Sequence, residues 1–356
     1  MDWRNHVKKI QESMRTAEKY EDYVPLLENY KQELEFALTI NPSNVIFSSQ
    51  LASVYMELRQ SAEDSIKILE NIFEKCTLTM SPADNARILT NLAYHYSDGY
   101  YDVNAIKYLK QAVEFGSNFK QTYGGLGLLL AGEDEYQEAI SHFEKVITLS
   151  DDVKYRQNLA VSLYGSGRVK EAITIFEAIL KEHEQYVKAM HGLATCYATL
   201  GEFEKALELC LEIIETEEME KDDISDIYFL CGEYQLHYES YQDGENLRLY
   251  PQASWLASYF YSLAMLGKKE ELALRYKEVM KEKQLDYDEA VVEELEEGET
   301  EFEREFHLLS LKEQMQEIEE VYEQALMGNK PVIDVKLWCE YECYLIDCVR
   351  HQVVEE

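Results

Sequence analysis

Residues 193–210 read LATCYATLGEFEKALELC: a Leu-small pair, an aromatic, a glycine, a second aromatic and an alanine at fixed intervals. The same landmarks stand elsewhere in the chain. Alanine recurs at Ala105, Ala139, Ala172 and Ala206, with separations of 34, 33 and 34 residues. Thirteen residues before each lies a leucine followed by a small residue, at Leu92-Ala93, Leu126-Gly127, Leu159-Ala160 and Leu193-Ala194. Between the two landmarks a glycine falls at Gly167 and Gly201, and it returns two periods later at Gly267. A fixed period of this length is the signature of a stacked repeat. Two helices of about 13 residues with short turns fill it, and each keeps one apolar stripe that a neighbour must cover. Each unit therefore reads as helix, turn, helix. Residues such as Ala160 and Ala172 let the paired helices approach closely, while Leu109, Phe143, Phe176 and Tyr276 fill the space against the next unit.

The pattern resembles the tetratricopeptide repeat family, whose unit carries Leu-Gly/Ala, Tyr, Gly, Tyr/Phe, Ala, Phe/Tyr, Ala and Pro. The match is fullest at Leu193, Ala194, Tyr197, Gly201, Phe203 and Ala206, with Cys210 where the family has an aromatic. Upstream, Ala37-Leu38-Thr39-Ile40-Asn41-Pro42 looks like a unit terminus. The resemblance implies an all-α fold, a right-handed α-α superhelix with a C-terminal helical cap. Units are expected at 11–44, 45–80, 86–119, 120–152, 153–186, 187–220, 221–252 and 253–286, so that the array spans 1–286. The first and seventh are degenerate. The seventh lacks the alanine and the turn glycine, and Pro251 with the segment Asp243 to Leu249 suggests a distorted connection.

Composition agrees with this class. The 356 residues include only 5 prolines and 15 glycines, so long helices are favoured over a sheet needing many turns. The formal net charge is -35, which repels phosphate backbones and anionic headgroups and argues against nucleic-acid or membrane partners. No run of 18 apolar residues occurs and Met1-Asp2-Trp3-Arg4-Asn5 lacks a secretory core, so a cytoplasmic protein is expected. Seven scattered cysteines fit a reducing compartment better than a disulfide framework.

After the repeats the character changes. From Asp286 to Glu305 there are eleven acidic residues and one basic residue, Arg304, which reads as an acidic linker or solvated segment over 287–304. The remainder, 305–356, divides at Gly328-Asn329-Lys330-Pro331 into two expected helices, about 302–327 and 333–354. Leu308, Leu309, Leu311, Met315, Ile318, Val321 and Tyr322 recur at three and four, so these helices are expected to cap the array.

No catalytic set stands out. Gly124, Gly125 and Gly127 lie within a repeat helix with no Lys-Ser/Thr pair after them, and no Gly-x-Ser-x-Gly or His-Glu-x-x-His occurs. His183 and His191 fall across a unit boundary. Cys339, Cys343, Cys348 and His351 are the residue types of a zinc site. On one continuous helix, at about 100 degrees per residue, Cys348 would face away from Cys339 and the four could not converge. They are therefore expected to be buried small hydrophobes, with no metal and no cofactor.

The second and sixth positions of first helices point into the concave groove in the resembling family. Here Arg87 with Asn91, and Lys154 with Asn158, place a cation and an amide four residues apart on one face, and Lys188 continues the series. An amide there can bond both backbone groups of an extended peptide while the cation pairs with a carboxylate. Tyr94, Tyr123 and Tyr164 lie on first helices and suit peptide contacts, with core packing the favoured reading for Tyr123. The arrangement is similar to the carboxylate clamp with which some members hold the acidic tails of heat-shock chaperones. It departs at the sixth positions Gly125 and Gly192, so chaperone-tail binding is not carried over.

The leading expectation is thus a non-enzymatic scaffold binding a protein or peptide partner in its groove. A second reading makes the acidic solenoid an inhibitor or immunity protein covering a basic toxin or nuclease. A third makes it a peptide-responsive bacterial regulator, although residues 1–40 hold no recognisable helix-turn-helix.

Overall fold

The computed structural model describes residues 3–17, 19–60, 62–98, 102–219, 221–241, 252–292 and 300–351. Up to Met327 the described residues are mostly helical, and no strand occurs among the described residues. The first helices form α1 (Trp3–Thr16) and α2 (Val24–Ile40), joined through a 3-10 turn at Tyr20–Asp22. Helix pairs follow as α3 (Val45–Glu57) with α4 (Ala62–Cys76), α5 (Pro82–Asp98) with α6 (Asp102–Glu114), and α7 (Lys120–Gly132) with α8 (Tyr136–Leu149). Next come α9 (Val153–Gly165) with α10 (Val169–Glu182), α11 (Val187–Thr199) with α12 (Phe203–Thr216), and the short α13 (Ser225–Cys231) with α14 (Tyr234–Ser240). The series closes with α15 (Ala253–Met265), α16 (Lys269–Val292) and α17 (Glu301–Met327). The chain divides into two compact units, residues 1–175 with 338–356, and residues 176–337.

The repeat landmarks are what lock the pairs. Ala105, Ala139, Ala172 and Ala206 are wholly buried, as are Ala93, Ala160 and Ala194. At Gly127 a methyl group would stand 2.8 Å from the Phe143 ring, so the glycine is what lets α7 and α8 close. The turn glycines Gly167, Gly201 and Gly267 take φ of 81, 79 and 72 degrees, the left-handed conformation that ends the first helix of each unit. One period before Gly167, Asp134 adopts φ 61 degrees in the same role. Segment 242–251, where the distorted connection was expected, lies outside the described residues.

In the second unit, α17 supplies Ile318 and Ala325 to a cluster with Leu256, Phe260, Leu263, Leu272 and Val279, and Tyr322 stacks on Tyr276 at 4.0 Å. Residues 293–299 of the acidic stretch lie outside the described residues, and the flanking parts are helical. Helix α16 continues to Val292 and α17 begins at Glu301, behind a capping box formed by Thr300 and Glu303. Glutamate has good helix propensity, and the charges of Glu301 and Glu303 are favourable in the first turn of α17. The Arg304 guanidinium reaches back to the carbonyls of Ala290 and Val291 and caps the end of α16.

The helix expected over 333–354 does not form. Gly328 closes α17 with φ 76 degrees, and residues 329–345 run without helix, with turns only from Ile346 onward. The stretch Val332-Ile-Asp-Val-Lys-Leu-Trp338 alternates β-branched, aliphatic and charged residues at period two, with Val335 and Leu337 buried and Val332 and Trp338 exposed. That alternation belongs to an extended chain with one face covered.

Two features set measurable expectations. Gly201→Ala should lower the unfolding free energy by about 1 kcal/mol, because the cost of a left-handed alanine is unrelieved. No atom lies within 4 Å of the added methyl group, so the midpoint shift in urea reads backbone strain alone. On α5, His95 is wholly buried with no hydrogen-bond partner at either ring nitrogen among the described residues, and burial depresses it from 6.5 to about 4. The unfolded chain then binds the extra proton between these values, so stability is full above pH 6.5 and falls as the pH drops toward 4. In His95→Leu this dependence should weaken by up to about 1.4 kcal/mol per pH unit, measured as the difference in urea midpoints across that window.

Candidate functional site

Within the first unit, α3 packs on α5, α5 on α7 and α7 on α9, so the first helices of four successive repeats share one face. Across it lies the extended segment 338–350, running from the later repeats to the earlier ones. The order of contacts is regular. Asn158 on α9 holds the backbone of Glu340 in both senses: its Nδ2 donates to the Glu340 carbonyl at 2.8 Å, and the Glu340 N–H donates to its Oδ1 at 2.6 Å. Two residues on, Glu342 meets Lys120 at 3.4 Å on α7. Two further on, the Tyr344 ring lies against Gly125, and its hydroxyl is 2.5 Å from that of Ser97 on α5. Ile346 donates its N–H to Asn91 Oδ1 at 2.7 Å. The Val349 N–H reaches Ser53 Oγ on α3 at 3.0 Å, and Arg350 forms two bonds with Glu57 at 3.0 and 2.6 Å.

Charge follows the same register. Lys154 lies 3.8 Å from Glu340, and Arg87 bonds Asp347 at 2.5 Å with only 4% of the aspartate side chain exposed. Burial pushes the Asp347 carboxyl up, opposed by the Arg87 guanidinium. Burial likewise raises the Tyr155 hydroxyl, with the Glu342 carboxylate adding to it. Val349 is wholly buried and joins the apolar cluster of Val7, Leu27, Tyr30, Leu34, Leu51 and Val54. The segment is therefore held by amides, ions and a core side chain together.

Four of the residues singled out from sequence, Arg87, Asn91, Lys154 and Asn158, are brought together along this face. Tyr94 joins them through its hydroxyl, 3.1 Å from that of Tyr341, and through edge-on packing with Tyr344 at 5.1 Å. Tyr123 turns the other way: it is buried, donates to the Ser117 carbonyl at 2.8 Å and lies beside His142 of α8, because its position on α7 faces the second helix of its own pair. Tyr164 is half-buried on α9, and Lys188 is exposed on α11 in the second unit.

Sequence reasoning missed Ser53, Glu57, Ser97 and Lys120. The first two were within reach, since stepping back one 34-residue period from Arg87 and Asn91 lands on Ser53 and Glu57. The two glycine departures also acquire causes. A methyl group at Gly125 would stand 2.6 Å from the Tyr344 ring, and one at Gly192 would stand 2.4 Å from Phe176. The first opens the face to an aromatic of the segment, and the second admits a core ring. The argument that kept the cysteines apart falls with the helix it assumed, since Cys343, Cys348 and His351 lie together while Cys339 turns to the Asn158 carbonyl at 3.9 Å.

Asn158→Ala removes two bonds to one residue and leaves a buried backbone pair unmatched, a loss of about 1–3 kcal/mol locally. Amide exchange at Glu340 should accelerate on the order of tenfold or more, while that of the α11 and α12 amides stays unchanged. Unaltered exchange at Glu340 would show that Asn158 does not hold the segment.

Comparison with known proteins places the repeats. Models described as tetratricopeptide repeat match residues 121–152 and 163–222, the stretches carrying α7 with α8 and α10 through α12. TPR repeat-containing protein MJ1428 of Methanocaldococcus jannaschii is 27% identical over 134 residues, covering 36% of this chain and 24% of the relative. TPR repeat-containing thioredoxin TTL4 of Arabidopsis thaliana is 33% identical over 81 residues, 22% of this chain and 12% of that protein. The chain thus spans a quarter or less of these curated relatives. Among solved structures, YrrB, titled a TPR protein with an unusual peptide-binding site, aligns over 57% of this chain and 97% of its own at 17% identity and TM-score 0.46. A tetratricopeptide repeat protein from Parabacteroides merdae aligns over 73% and 99% at 16% identity and TM-score 0.49. Residues 121–152 and 163–222 are thus tetratricopeptide repeats, and buried alanines at the same period stand at Ala105, Ala139, Ala172 and Ala206.

Proposed function

We propose that the face formed by α3, α5, α7 and α9 is a docking groove for an extended, acidic protein segment, and that residues 338–350 are its resident occupant. The chain is then a non-enzymatic interaction scaffold whose partner competes with its own tail. Repeats of this kind serve protein interaction in general. The observation that carries the finer reading is the two-way pairing of Asn158 with the Glu340 backbone, repeated in part by Asn91 on Ile346. Side-chain amides aimed at main-chain groups recognise any extended chain, while Lys154, Lys120 and Arg87 select carboxylates at set intervals.

Occupancy in cis lowers the fraction of chains competent to bind in trans, and apparent affinity falls by that fraction. A labelled peptide of residues 338–351 should therefore bind the full chain weakly. In Glu340→Gln/Asp347→Asn, where the resident tail is loosened and the groove is intact, the same peptide should bind about tenfold tighter or more. Adding Asn91→Ala and Asn158→Ala should abolish that gain. Equal peptide binding with and without the two asparagines would sink the groove reading.

A further inference from the structure

The tail ends in a cluster that the groove does not need. The Sγ atoms of Cys343 and Cys348 and a ring nitrogen of His351 all lie within 4.8 Å of one another. None of the seven cysteines is in a disulfide. The spacing is Cys-x4-Cys-x2-His, and a sharp turn makes it converge: Asp347, between the cysteines, adopts φ 63 degrees. That turn is fastened from both sides by Arg87 on the Asp347 carboxylate, Asn91 on the Ile346 N–H and Ser53 on the Val349 N–H. The three groups are thus positioned by the repeat face rather than by mutual contact alone.

The separation fits a metal. Zinc bonds of about 2.3 Å to sulfur and 2.0–2.1 Å to nitrogen at a tetrahedral angle put the two ligand atoms about 3.5 Å apart, and Cys348 Sγ lies 3.5 Å from His351 Nδ1. Two thiolates and one neutral imidazole balance a dication. Sulfur with imidazole favours zinc over magnesium or calcium, which take oxygen ligands. Cys348 is buried and His351 is exposed, so the fourth position opens toward solvent.

We propose that Cys343, Cys348 and His351 form a zinc(II) site with three protein ligands and one solvent position. The ion closes the turn at 343–351 and stiffens the end of the tail that rests on α3 and α5. The site stands on its own geometry, whether or not the groove ever takes an external segment.

Zinc alone is the probe. The full chain, purified under reducing conditions, stripped with chelator and dialysed, should take up one zinc per chain in a competition titration. Cobalt(II) in its place should give the near-ultraviolet thiolate charge-transfer band of a tetrahedral site. Cys343→Ser and Cys348→Ser should lose both signals, and Cys339→Ser should keep them. His351→Gln should weaken zinc by no less than the roughly 10- to 100-fold that loss of a supporting partner costs. Zinc should also slow amide exchange at Ile346 and Val349. The proposal is overturned by a reduced chain that takes up no zinc, by uptake unchanged in both Cys343→Ser and Cys348→Ser, or by a Cys343–Cys348 disulfide in protein kept reduced throughout.

Discussion

An extended chain laid across helices has no neighbouring strand to pair with, so each backbone group it buries must find a side chain. This requirement organises the first unit. The helices have already spent their own amides on internal bonds, and only side chains at their exposed face remain to answer. Asn158 on α9, Asn91 on α5 and Ser53 on α3 do so, and all three are buried beneath the segment they hold. A polar residue in that position is costly without its partner and specific with it. Had 333–354 been helical, these side chains would have faced a backbone already satisfied, and the face would carry orphaned amides.

The period of the repeat sets the period of recognition. Neighbouring first helices present equivalent positions about 33 or 34 residues apart in sequence, while the segment crosses from one helix to the next in a few residues. Glu340 sits on α9, Glu342 and Tyr344 on α7, Ile346 and Asp347 on α5, and Val349 and Arg350 on α3. Between the two asparagines the sixth position is Gly125, and the missing side chain becomes the seat of the Tyr344 ring. Small residues thus serve two separate ends here. Gly127 closes one helix on its mate, and Gly125, two residues away on α7, opens the same helix to the segment.

Much of this was legible because packing leaves a strong trace in sequence. The alanines and the Leu-small pairs recur since each must fit one tight crossing, and Arg87, Asn91, Lys154 and Asn158 follow from counting along the same period. The tail was misread for a physical reason. A wheel of 3.6 residues sets Cys348 away from Cys339, whereas Val332 to Trp338 alternates at two, and the expectation of no metal rests on that wheel. Tyr123 illustrates a different limit. A tyrosine on a first helix faces the groove or its partner helix according to one step of rotation, and only the neighbours of its hydroxyl decide.

The contacts along the segment differ in kind, and so does their strength. At the Trp338 end, Lys154 and Lys120 stand 39% and 36% exposed beside their glutamates, where water and salt screen the attraction. At the other end the Arg87–Asp347 pair is mostly shielded, and Val349 is sunk in the core cluster built on α1 to α3. Losing the first set leaves solvated charges, whereas losing the second leaves a buried guanidinium unpaired and opens a cavity. The segment is therefore anchored at its far end and lightly held at its near end. If the face takes an external segment as proposed, the two-way pairing at Asn158 would be the first barrier at the Trp338 end.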